Sequence, residues 1–88
     1  MNKYPLVYCI WEDIQGSSGE WKTVDDAINW NDTEDSLVHQ VGFQLDKSDE
    51  YVILIDSFFP NQDLVGTVIR IPIGAIRKLK IIEYKDYL

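Results

Sequence analysis

The sequence predicts an all-β chain with one short helix, laid out as an SH3-like five-stranded antiparallel barrel with a long first loop. Three observations carry that expectation. Five short runs rich in β-branched and aromatic residues are spread over 88 residues, a length that suits one small domain. The later runs are joined by hairpin-length connections, whereas a long polar interval separates the first two. Between the last two runs, Pro72 followed by Ile73-Gly74-Ala75 reads as a single compact turn.

The elements follow in order. Residues 4–14 contain Leu6, Val7, Tyr8, Cys9, Ile10 and Trp11 and read as the first strand. Gln15-Gly16-Ser17-Ser18-Gly19 breaks it. A helix of about two turns follows, with Thr23 as N-cap, Asp25 and Asp26 in the first turn, and Val24, Ala27 and Ile28 on one face. A helix so short holds its shape only when packed. Trp30 closes it before the polar stretch Asn31-Asp32-Thr33-Glu34-Asp35. From Ser36 the period becomes two, with Leu37, His39, Val41, Phe43 and Leu45 on the expected core face. Asp46-Lys47-Ser48-Asp49-Glu50 forms a polar turn, and residues 51–55 form a continuously apolar strand. Pro60-Asn61-Gln62-Asp63 is a second turn. Residues 64–71 and 76–83 complete the strand set.

Charge narrows the functional classes. Fifteen acidic residues against eight basic ones leave a net charge of −7, which disfavours non-specific nucleic-acid binding. The charge is uneven: residues 12–63 sum to −11 and residues 64–88 to +3, a dipolar pattern suited to recognising a protein partner. No apolar run reaches the roughly 18 residues of a membrane span, so no membrane association is expected, and the first residues do not read as a signal peptide. The lone Cys9 excludes an intramolecular disulfide and a cysteine zinc site, and fits a reducing cytoplasm.

Trp11-x-Asp13, Gly19-x-Trp21, Val41-Gly42-Phe43 followed by acids, and Ile71-Pro72-x-x-x-Ile76 together resemble small bacteriophage- and prophage-encoded proteins with an SH3-like or Sm-like β-barrel. The absence of a helix before Tyr4 favours the SH3-like form. The resemblance covers residues 8–81, and its aromatic, glycine and proline positions speak to fold rather than chemistry. It implies a phage-like origin and a place in the cytoplasm of the bacterial host. It also implies an accessory role by stoichiometric binding to a host or phage protein, inhibitors of host defence being one such class. The segment between Trp21 and Leu37 is longer here than in that pattern.

Individual residues were weighed for chemistry. His39, the only histidine, lacks a second histidine or a cysteine at ligand spacing and reads as structural. Cys9, flanked by acids rather than bases, reads as a core hydrophobe. The acidic clusters match no calcium loop, so no metal, no cofactor and no enzymatic activity are expected. Trp21, Trp30 and Tyr51 have two readings that stay open: an aromatic groove for an extended peptide, or anchors that lay the long loop on the barrel. Arg70 and Lys78 are expected to pair with Asp56 or Glu83 across strands. The alternative gives Arg70 and Arg77 an anion site, making the chain a self-assembling nucleotide sponge that sequesters a defence messenger.

Overall fold

The computed structural model describes residues 4–14, 19–30 and 36–82. Five antiparallel strands form one sheet: β1 (Leu6–Glu12), β2 (Leu37–Lys47), β3 (Tyr51–Ile55), β4 (Val68–Pro72) and β5 (Ile76–Ile82). They lie in the order β4-β3-β2-β1-β5. A short helix α1 (Val24–Ile28) sits in the long first connection, and a single 3-10 turn (Ile73–Ala75) joins β4 to β5. The strands, the long loop and the compact last turn are those the sequence predicts. Thr23 caps α1 as expected, its Oγ1 accepting from the Asp26 amide at 3.1 Å. The strand expected over residues 64–71 starts later, at Val68, with Val65 held only by a bridge to Phe58. The loop at 15–18, the polar stretch at 31–35 and residues 83–88 lie outside the described residues.

The two edge strands, β4 and β5, have no ladder between them, so the sheet is not closed into a barrel by hydrogen bonds. It curls instead. Val7 and Cys9 of β1, Val52 and Leu54 of β3 and Ile71 of β4 form one buried cluster, against which Trp11, Ile69, Ile73, Ala75, Ile76 and Leu79 pack. Both edges thus contribute to the same core through Ile71 and Leu79. Burial holds the Cys9 thiol above its ordinary pKa and keeps it protonated, in line with its reading as a hydrophobe.

One expectation about the core is reversed. Gly42 pairs with the buried Val7, and Gln40 pairs with the buried Cys9. Side chains of paired residues share a face, so Val38, Gln40 and Gly42 point inward, while Leu37, His39 and Val41 point outward. The physical reason lies at Gly42. A Cβ there would stand 3.2 Å from the Ile55 carbonyl oxygen and 3.4 Å from Leu54 Cβ, so β3 crowds β2 at the position where a side chain is missing. Gln40 is satisfied on the inner face because its Oε1 accepts from Trp11 Nε1 at 3.0 Å. Further along β2, a bulge at Leu45 shifts the register between Gln44 and Asp46, which ends the regular alternation.

The β3–β4 connection is an extended hairpin. The Gln62 amide donates to the Phe59 carbonyl at 3.3 Å, closing a turn with Pro60 at its second position. Phe58 bridges to Val65 and packs edge-on against Tyr4 and Phe43, each with ring centroids 5.0 Å apart. At the hairpin base, Asp56 Oδ1 accepts from Ser57 Oγ at 2.8 Å and from the Thr67 amide at 2.9 Å. A Cβ on Gly66 would overlap Ser57 Oγ and Asp56 Oδ1, so any larger residue there would push these two side-chain ends out of their bonded arrangement. The Ser57 hydroxyl first, then the Thr67 groups, hold the Asp56 carboxyl below its ordinary value of 3.8.

Two outcomes follow for the scaffold. Gly42→Val should destabilise the chain by about 1–3 kcal/mol in urea unfolding, the usual cost of overpacking. A depressed folded-state pKa stabilises above the ordinary aspartate value, and that contribution is lost as pH falls through the lower folded value. The Thr67 amide resonance should therefore titrate with a midpoint below 3.8, and Asp56→Asn should abolish that titration.

Candidate functional site

The arm between β1 and β2 leaves the sheet at a fixed base. The Asp13 amide donates to the Ser36 carbonyl at 2.8 Å, and Glu12 pairs with Leu37 at the end of the ladder. At the same end, Arg77 forms an ion pair with Glu12 and donates to the Gly74 carbonyl at 2.9 Å. Arg77 can reach both because it is the extra residue of a bulge on β5, where the register slips between Ile10 and Trp11. Both charged side chains are about half exposed, so the pair contributes at most about 1 kcal/mol.

Above this base most of the arm's described apolar residues stand open. Trp21 is fully exposed, and Val24 and Ile28 are 78% and 75% exposed. The face of α1 that should bury itself is therefore open, with Glu20, Asp25 and Asp26 around it. The short helix is held by local bonds: the Thr23 cap, and Asn29 Nδ2 donating to the Asp25 carbonyl at 2.9 Å. Trp30 is half-buried at its far end.

The expected aromatic groove is not assembled among the described residues, where the fully exposed Trp21 stacks on no other ring. Tyr51 stands elsewhere, at the start of β3 opposite Pro72, with the Arg70 guanidinium carbon 4.3 Å from its ring centroid. Such a stack contributes about 0.5–1 kcal/mol at an exposed site. Arg70 thus faces Tyr51 rather than Asp56, whose carboxylate is occupied by Ser57 and Thr67. Glu83, the other acid expected to pair with Arg70 or Lys78, lies outside the described residues. Arg70 and Arg77 therefore engage different partners. Loop anchoring by Trp21 is corrected in the same way, since a fully exposed ring anchors nothing.

A second surface went unnoticed in the sequence. The outward face of β2, β1 and β5 carries the paired rows His39–Ile10–Lys78, Val41–Tyr8–Lys80 and Phe43–Leu6–Ile82. Val41 is 58% exposed on this face, whereas Ile81, paired with the inward Val7, is 64% exposed at the free edge of β5. Tyr8, Val41, Lys80, Ile81 and Ile82 line an open groove of about 650 Å³. The Tyr8 hydroxyl and His39 Nδ1 share a hydrogen bond across two strands of this face. A smaller depression of about 210 Å³, lined in part by Gln40, Leu54 and Ile69, offers little free chemistry, since Gln40 and Asp56 at its rim already have partners. The signal for the larger surface was Gly42 itself, which sits in the phase opposite to the apolar residues of β2.

No three His, Cys, Asp or Glu side chains gather at one point among the described residues. No described helix is long and apolar enough to cross a membrane. Comparison with protein-family models, with curated proteins and with solved structures gives no match for this chain.

Proposed function

We propose that the chain is a non-enzymatic accessory binding protein of phage type, which attaches through its arm to a host or phage protein and modulates it. Inhibition of a host defence system is the class of action that fits the resemblance. The observation that supports this reading is the fully exposed Trp21, close in sequence to the exposed Val24 and Ile28 and to Glu20, Asp25 and Asp26, which outnumber the single base Lys22. Tryptophan in such a setting is the residue type that most often dominates a protein interface. A helix of five residues gains little from its own hydrogen bonds, so its apolar face is best accounted for by a surface that receives it. The surrounding acids would select a partner with a basic rim and speed the encounter.

The test is native mass spectrometry of the purified protein before and after incubation with bacterial lysate, repeated with Trp21→Ala. The expected result is a stoichiometric complex with one defined protein, weakened at least tenfold by the substitution. Because Trp21 packs on nothing, Trp21→Ala should leave folding stability within about 0.5 kcal/mol of the parent. A retained small molecule in place of a protein, unaffected by Trp21→Ala, would overturn the reading.

A further inference from the structure

We infer that the free protein pairs with a second copy of itself by reciprocal arm exchange: the arm of each copy lies across the outward face of the other's sheet. Two uncovered apolar surfaces of opposite charge occur in one chain. The described arm presents Trp21, Val24 and Ile28 in a stretch that carries three acids, Glu20, Asp25 and Asp26, against one base, Lys22. The sheet presents Tyr8, Val41 and Ile82 on its outward face around an open groove that reaches Ile81 at the β5 edge, with Lys78 and Lys80 projecting from the same rows. Neither lysine has an acidic partner among the described residues, and neither do Asp25 and Asp26 have a basic one. Apolar matches apolar, and acid matches base.

The arm does not cover its own sheet. Its apolar side chains stand exposed, and its base is fixed by the Asp13–Ser36 bond and the Glu12–Arg77 pair. The groove around Tyr8 lies four residues back along β1 from Glu12, about 13 Å at strand spacing. A two-fold arrangement solves both problems at once, since each copy gives one arm and receives one. A buried tryptophan alone contributes about 150–250 Å². Two exchanged arms with their receiving faces can therefore reach the roughly 800 Å² per partner typical of a specific interface.

This inference shares the arm with the function proposed above but not the partner, and it is decided on the purified chain alone. Sedimentation velocity across a concentration and salt series is the experiment. The parent chain should form a dimer that weakens as salt rises. Asp25→Lys/Asp26→Lys gives a basic arm facing a basic sheet, and Lys78→Glu/Lys80→Glu gives an acidic arm facing an acidic sheet. Each variant alone should be monomeric, whereas an equimolar mixture should form the heterodimer, because every arm then meets a face of opposite charge. Trp21→Ala should raise the dissociation constant at least tenfold. A parent chain that stays monomeric throughout overturns the inference, as do charge variants that each dimerise like the parent. Either outcome leaves capture of a foreign protein by the arm to its own test.

Discussion

The rest of the structure depends on the close approach of β2 to β3 at Gly42. A side chain there would press on the Ile55 carbonyl and Leu54, so this position faces inward without one, opposite the buried Val7. Because a strand alternates, that single constraint sets every neighbour. Gln40 is drawn beneath the sheet, where the Trp11 indole satisfies it, and Leu37, His39 and Val41 are turned outward. The strand therefore buries its more polar face and exposes its more apolar one. That inversion has a cost in exposed apolar area, and an exposed apolar surface of this kind is characteristic of an interaction site.

Both unusual surfaces connect to β2. The outward face runs from Leu37 to Phe43, and at its far end Phe43 packs edge-on against Phe58, which also meets Tyr4. The arm enters β2 at Leu37 and carries the other uncovered apolar stripe. Charge separates the two, with acids on the arm and lysines on β5. The proposed binding role rests on that separation of two exposed apolar surfaces that carry different charge. The same complementarity explains how a second copy could occupy these surfaces until a foreign partner competes for the arm.

Much of this architecture was legible in the sequence. The five strands, the Thr23 cap and the compact turn at Ile73–Ala75 are local features, written in β-branched runs, a capping hydroxyl and a proline–glycine pair. Burial of Cys9 followed from its apolar neighbours. The phase of β2 was not legible in this way, because hydrophobic alternation names two faces but not which of them meets the core. Here the tertiary contact at Gly42 decided against the apolar side. The Arg70–Tyr51 stack and the Arg77 bulge escaped for a related reason: both depend on register, which a single strand's composition does not specify. Trp21 was legible as a candidate, but its solitude was not, since exposure is a property of the folded arm.

The phase of β2 is tested most directly by methyl nuclear Overhauser measurements on Val41 in the full chain. The account predicts contacts from the Val41 methyl groups to the ring of Tyr8, its neighbour in the outward row, and none to Val7 or Ile71. Contacts from Val41 to Val7 or Ile71, with none to Tyr8, would place the apolar face of β2 in the core and contradict the account at its base.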